Sequence, residues 1–180
     1  MTSVDRKLRV FLCHSSADRP IVRELYQKLL AESWIDPWLD EEELYPGDDW
    51  DLTIQKAVAE SDVVLVCLSN NSITKRGYIQ RELRYVVDVA LEIPEGEIFL
   101  IPLRLEECTP PRSLRDWQYA DYFEEKRERA YERLLYSLER RAASLGMKIK
   151  SSQLAFQAWL ESLAYKPGTR ADELITRQKR

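Results

Sequence analysis

Residues 62–68, Asp-Val-Val-Leu-Val-Cys-Leu, are the segment that most constrains the fold of this chain. Apart from the leading Asp62, every residue in the segment is apolar. Successive side chains of a strand point to opposite faces, so an all-apolar strand needs cover on both faces, as in a parallel sheet with helices on each side. The segment therefore predicts the central strand of a parallel sheet.

Four other segments have the composition of strands: residues 7–13, 35–40, 97–103 and 118–123. The proline in the second of them predicts a position near a sheet edge or at a strand start. Between the strands, apolar residues recur at helical spacing after Asp18 and Pro20, from about Trp50, between residues 77 and 91, and in a long charged segment that contains Leu134 and Leu138. Asp18 is a candidate helix cap, and Pro20 suits a first helical turn.

Strands that alternate with helices indicate an α/β fold with right-handed crossovers. We predict a flavodoxin-like, five-stranded parallel sheet of order 2-1-3-4-5 with helices on both faces. The pattern changes beyond Gly146, where an amphipathic stretch is followed by Lys-Pro-Gly-Thr. This predicts one domain over residues 1–145 and a helical extension or linker over residues 146–180.

Composition excludes several classes of partner. A net charge of −4 and a pI near 5.3 argue against nucleic acid, because neutralising phosphates needs a basic surface. No stretch approaches the roughly 20 apolar residues of a membrane span, and no signal peptide is evident, so we predict a cytoplasmic protein without membrane partners. Three scattered cysteines, Cys13, Cys67 and Cys108, indicate neither a disulfide framework nor a zinc site.

Topology predicts where a binding site lies. In a sheet of this order, ligands bind at the carboxyl ends of strands one and three, where the winding direction reverses. Those ends are residues 14–18 and 69–72, and the loop at 41–47 and the start of the helix with Tyr78 and Glu82 open on the same side. The polar groups that the strand ends offer to a ligand are His14, Ser15, Ser16, Ser69 and Asn70.

Several chemistries have no residues to support them. With His14 as the single histidine, a zinc site or a Ser-His-Asp triad is not indicated, and Gly-x-Ser-x-Gly is missing. The five glycines are too scattered for a Walker loop or a dinucleotide fingerprint. A phospho-receiver domain would need an aspartate after strand three, where this chain has Ser-Asn-Asn.

Four stretches, in order, resemble the TIR (Toll/interleukin-1 receptor) domains, and in detail their bacterial branch. They are VFLCHSSADRPIVRELYQKL, PWLDEEELYPGDDWDLTIQKAV, SDVVLVCLSNNSI and GYIQRELRYVVD, and the resemblance covers about residues 7–140. In that family the loop after strand two, the BB loop, corresponds to residues 40–49 here. The resemblance implies that it mediates association with other TIR domains through Glu43, Leu44, Tyr45, Pro46, Gly47 and Asp48.

The resemblance also implies an activity. Many TIR domains cleave nicotinamide from NAD⁺, some cyclise the product, and the setting is defence or stress signalling. Their catalytic glutamate lies in the helix after strand three, which maps onto Glu82. The aromatic residue four positions earlier maps onto Tyr78, where tryptophan is common, and the aromatic after the BB loop maps onto Trp50. NAD⁺ is then the substrate, and no separate cofactor is implied.

One carboxylate suffices for this chemistry. Ordinary glycosidases need two acids because the leaving oxygen must be protonated. Nicotinamide is already cationic in NAD⁺ and departs neutral, so Glu82 need only bind ribose hydroxyls and offset the charge that develops on the sugar. The sequence leaves three other interpretations open. Glu82 can be an ordinary surface acid, the chain can be a non-catalytic TIR interaction module, or the domain can bind another nucleotide.

Overall fold

The structure is a computed structural model that describes residues 6–39, 50–74 and 78–149, and within these ranges it does not describe the side chains of residues 50, 51 and 78–82. The strands are β1 (Leu8–Cys13), β2 (Ile35–Trp38), β3 (Val63–Leu68), β4 (Leu100–Arg104) and β5 (Ala120–Asp121). The α-helices are α1 (Arg19–Leu30), α2 (Trp50–Glu60), α3 (Asn70–Thr74), α4 (Tyr78–Glu92) and α5 (Arg127–Ser144). Short 3₁₀ turns cover Ser16–Asp18, Arg112–Leu114 and Glu124–Lys126.

The strands form one sheet of order β2-β1-β3-β4-β5, and all four pairings are parallel. The predicted topology is therefore confirmed. β2 lies at one edge with Pro37 opposite Val10, as the missing N–H of proline requires. The central strand is β3, and all six of its residues are buried.

β5 is shorter than the predicted strand over residues 118–123, and Pro102 explains why it begins later than predicted. Arg104 accepts a hydrogen bond from Tyr122 N on the β5 side, whereas Leu105 N donates to Leu68 O on the β3 side. Backbone polar groups alternate sides along a strand, so the nitrogen of Pro102 faces β5 and has no hydrogen to donate. Pairing between β4 and β5 therefore begins only at Leu103, opposite Ala120.

The sheet separates two hydrophobic layers. Val63, Leu65 and Cys67 of β3 face α1 and α5, and Val64, Val66 and Leu68 face α2 and α4. The helices add buried residues at helical spacing to each layer. On the first face these are Val22, Leu25, Leu29, Ala130, Leu134, Leu135 and Leu138, and on the second Ile54, Val58, Leu83 and Val86. Cover on both faces of β3 is what its all-apolar sequence predicted.

The short helix α3 was not predicted from the sequence. Ser69 precedes it and accepts a hydrogen bond at Oγ from Ser72 N (3.1 Å), while Ser69 N donates to Ser72 Oγ (2.8 Å). This is a reciprocal capping box, with serine in place of the usual glutamate at the third helical position. Because the third helical residue is serine, the usual capping-box sequence of serine or threonine followed three residues later by glutamate or glutamine is absent.

Helix α5 ends where the sequence pattern changes. Gly146 has a φ of +71°, and the N–H groups of Gly146 and Met147 donate to the carbonyls of Ala143 and Ala142 (both 3.0 Å). This pairing is the glycine-terminated helix end that a left-handed residue makes possible. The chain divides into one unit of Met1–Lys150 and a second of Ser151–Arg180, and the second unit lies outside the described residues. The division at residues 145 and 146 stays a prediction.

None of the three cysteines forms a disulfide, and all three are buried. Within the described ranges, no helix is both long and apolar enough to cross a bilayer. Among the same residues, no group of three or more histidine, cysteine, aspartate or glutamate side chains is arranged to hold a metal ion.

An ion-pair cluster joins β4, β5 and the turn before α5. Asp121 Oδ1 accepts from Arg104 Nε (2.6 Å), and its Oδ2 pairs with Lys126 Nζ (3.0 Å). Burial acts to raise the pKa of Asp121, but the hydrogen bonds from Lys126 and Arg104 together outweigh it and leave this pKa below its ordinary value.

Asp121→Asn is expected to remove a pH-dependent part of the stability. The folded-state pKa lies below that of the unfolded chain, so the stabilisation is present above about pH 4 and is lost as the pH falls through the folded value. We expect a loss of about 1 kcal/mol at neutral pH that shrinks below about pH 4. Urea unfolding across this range, with the exposed Asp116→Asn as control, measures it. A difference that stays constant below pH 4 would show that the charge of Asp121 is irrelevant.

Candidate active site

The carboxyl ends of β1 and β3 lie side by side at the middle of the sheet. Cys13 is in register with Val66, so the residues that follow the two strands emerge next to one another. Ser15 and Ser69 belong to these two segments, and both donate a hydrogen bond to Asp18 Oδ2, at 2.7 Å and 2.6 Å. The predicted convergence of the two strand ends is therefore observed, and Asp18 is the residue that joins them.

Asp18 has a different contact from the one predicted. It stands at the N-cap of α1, but its carboxylate makes no capping hydrogen bond. The side chain instead accepts the hydroxyls of Ser15 and Ser69, while Asp18 N donates to Ser15 O (2.9 Å). Pro20 lies in the first turn of α1, as predicted. The partner Ser69 is 51 residues away in the sequence, and no local pattern indicates such a contact.

The polar residues that join the two strand ends are buried. Asp18 is 9% exposed, and Ser69 and Ser72 are 2% and 3% exposed. Buried hydroxyls and carboxylates are costly unless they are hydrogen-bonded, and here each group has a close partner. Asp18 Oδ2 accepts both hydroxyl hydrogen bonds, so a single carboxylate oxygen holds the two strand ends together.

The remaining predicted binding residues differ in exposure. The His14 ring is 4% exposed and its Nδ1 lies 3.1 Å from Leu12 O, so direct contact with a ligand would require the strand end to open. Ser16 is exposed. Asn70 is also exposed, and it is bonded to the loop after β4: its N–H donates to Glu106 Oε1 (2.7 Å) and its Nδ2 donates to Glu107 O (3.2 Å). No sequence pattern indicated this loop.

The buried thiols are poor nucleophiles. Complete burial raises the pKa of Cys67, and the charge of Asp18 raises it further. Burial is also the main cause that raises the pKa of Cys108, whose Sγ lies 3.8 Å from Leu68 O. A thiol reacts as its thiolate, and at neutral pH both of these groups keep their proton. They serve as small core residues.

For the three residues that the resemblance assigns to the NAD⁺ site, the structure gives only the helices in which they lie. Tyr78 begins α4 and Glu82 follows one turn later, while Trp50 begins α2. Their side chains lie outside the described part of the structure. The roles of these three residues stay predictions. The same holds for the BB-loop residues, which also lie outside the described residues: Glu43, Leu44, Tyr45, Pro46, Gly47 and Asp48.

A sequence profile of the TIR domain matches residues 10–135, which include most of β1, all of β2 to β5 and the helices between them. The chain belongs to the TIR domain family. A search of curated proteins finds no significant match.

Solved structures support the same fold. The TIR domain of the Toll-related receptor TRR-2 from Hydra magnipapillata is 21% identical, with a TM-score of 0.59 over 72% of this chain and 97% of that one. A prokaryotic SEFIR domain is 18% identical, with a TM-score of 0.59 over 73% and 99% of the two chains. A TIR-STING receptor from C. gigas, solved with 2′,3′-cGAMP, is 16% identical, with a TM-score of 0.62 over 77% of this chain and 42% of that one. At these identities the likeness concerns the fold.

Proposed function

We propose that this TIR domain is an NAD⁺ glycohydrolase that releases nicotinamide, with its site at the carboxyl ends of β1 and β3. The observation that carries the proposal is the buried carboxylate of Asp18, which holds hydroxyls from both strand ends at the point where sheet topology favours a ligand. α4, which contains Glu82, follows β3 after the short helix α3.

The roles follow from the chemistry of the bond. The C1′–N bond of the nicotinamide riboside breaks, its electron pair returns to the pyridinium ring, and nicotinamide leaves neutral. Glu82 offsets the positive charge that develops on the ribose. Water then adds to C1′ and loses a proton to solvent, or the adenine ring adds there and gives a cyclic product. The carboxylate of Asp18 can accept hydrogen bonds from ribose hydroxyls, and the exposed side-chain amide of Asn70 can donate to the diphosphate.

Association is part of the proposal. We propose that the BB loop contacts a second copy and that activity requires clustering, in a cytoplasmic defence or stress pathway. The experiment is to incubate concentrated or artificially clustered protein with NAD⁺ and to follow free nicotinamide by chromatography. Intact NAD⁺ after clustering would defeat the proposal.

A non-catalytic interaction module is the second candidate, and one observation favours it. The hydroxyls of Ser15 and Ser69 are already satisfied within the protein by Asp18, and His14 is buried, so these polar groups serve the fold without any ligand. On this account the BB loop recruits other TIR domains and Glu82 has no chemical role.

Pro46→Ala with Gly47→Ala tests association directly. Glycine and proline set the backbone of a turn, so replacing both is expected to loosen the loop that the resemblance assigns to the interface. We expect at least a tenfold weaker self-association in analytical ultracentrifugation. If the domain is a non-catalytic interaction module, Glu82→Gln is expected to have no effect in any assay. Unchanged association in the loop variant would remove the loop from the interface.

A further inference from the structure

A cleft lies at the far edge of the sheet, between β5 and α5. Its volume is ≈ 330 Å³, and it is called the basic cleft below. Gln118, Tyr119 and Asp121 line the strand side, and Lys126, Arg129 and Arg133 line the helix side. In the sheet register, Asp121 of β5 is opposite Arg104 of β4, and Arg104 is opposite Leu68, the last residue of β3. The cleft is therefore two strand spacings, roughly 10 Å, from the end of β3. It is separate from the candidate active site.

The basic cleft is positively charged in a chain whose net charge is −4. Its single carboxylate, Asp121, is already neutralised by Arg104 and Lys126. Arg129 and Arg133 are exposed, and neither forms an ion pair with a described residue. They stand one helical turn apart, where like charges repel, and an anion between them would remove that repulsion.

On the strand side of the cleft, opposite these arginines, contacts of Arg104 hold the side chains in place. The Arg104 guanidinium lies 4.4 Å from the centre of the Tyr119 ring and 5.8 Å from that of Phe123. It also donates to Asp121 (2.6 Å) and to Cys108 O (2.8 Å). Because these contacts already fix the side chains of this wall of the cleft, the wall loses little conformational freedom when a ligand binds, and this lowers the entropy cost of binding.

We propose that the basic cleft binds a phosphate-bearing small molecule, with the phosphate groups held by Arg129 and Arg133. Guanidinium groups match phosphate oxygens in a bidentate geometry, and the cleft volume lies at the lower end of the range for small-ligand sites. An extended acidic peptide is the less suitable occupant, because β5 has two residues and offers little edge for strand addition.

Calorimetric titration of the full chain with sodium pyrophosphate and, separately, with ADP tests the proposal at low salt. We expect both ligands to bind and the Arg129→Ala, Arg133→Ala double variant to bind them at least tenfold more weakly. Arg112→Ala with Arg140→Ala changes the net charge equally at exposed positions outside the cleft, and is expected to bind as the parent does.

The outcomes separate the occupants. Tighter binding of ADP than of pyrophosphate would support a nucleotide that also contacts Tyr119, and equal binding would support an inorganic or terminal diphosphate. Absence of pyrophosphate and ADP binding, or equal weakening by the control pair, would overturn the proposal. So would capture of hexaglutamate by Arg129 and Arg133 without pyrophosphate binding. Because the readout is heat of binding, failure here leaves the glycohydrolase proposal standing.

Discussion

Glu82→Gln is expected to reduce nicotinamide release from clustered protein by a factor of about 10²–10³. The amide keeps the size and most hydrogen bonds of the carboxylate but loses the negative charge that offsets the developing cation on the ribose. Release of nicotinamide measured by chromatography gives the rate, and thermal unfolding verifies that the variant is folded.

Glu92→Gln is the matched control, because Glu92 is an exposed glutamate at the end of the same helix α4. It changes the net charge equally and is expected to keep the parent rate. Equal loss in both variants would point to a general charge effect on association. Full activity in Glu82→Gln would refute the assignment of Glu82 and would mean that another group of the domain supports the release of nicotinamide.

Asp18→Ala is expected to lower the free energy of unfolding by about 2–4 kcal/mol, because it leaves the hydroxyls of Ser15 and Ser69 without their acceptor. Asp18→Asn keeps one acceptor oxygen and is expected to cost about half as much. Urea unfolding measures both. The glycohydrolase proposal adds that Asp18→Asn, although folded, has a lower kcat/KM for NAD⁺.

Asp116→Ala is the control for this series, since Asp116 is exposed and its loss is expected to change stability by less than about 0.5 kcal/mol. If Asp18→Ala were no more destabilising than Asp116→Ala, the hydrogen bonds at the strand ends would not contribute to the free energy of unfolding. A folded Asp18→Asn with the parent kcat/KM would confine Asp18 to a structural role.

The comparison of Ser69 and Asp18 shows how far sequence reasoning reaches at the site. Ser69 was predicted because it follows an apolar strand in a sheet whose order could be inferred. For Asp18 the sequence predicts a local cap, because capping is the usual role of an aspartate before a helix. Its actual partners lie on two different strand ends, and only the folded chain brings them within hydrogen-bonding distance.

The basic cleft was beyond prediction for the same reason. Arg129 and Arg133 can be recognised as neighbours on one helix face from their spacing. Nothing in the sequence indicates that this face meets the edge strand β5, or that Asp121 is already paired with Arg104 and Lys126. Local spacing therefore identifies the charges without identifying what they face.

The sequence by itself determined the fold class, the order of the strands and the two ends at which a site should lie, because apolar periodicity and crossover handedness depend on local patterns. The tertiary structure decided which polar groups meet there and which charges are neutralised. Hydrogen bonds and ion pairs depend on distances of about 3 Å between residues far apart in the chain, and packing alone sets those distances.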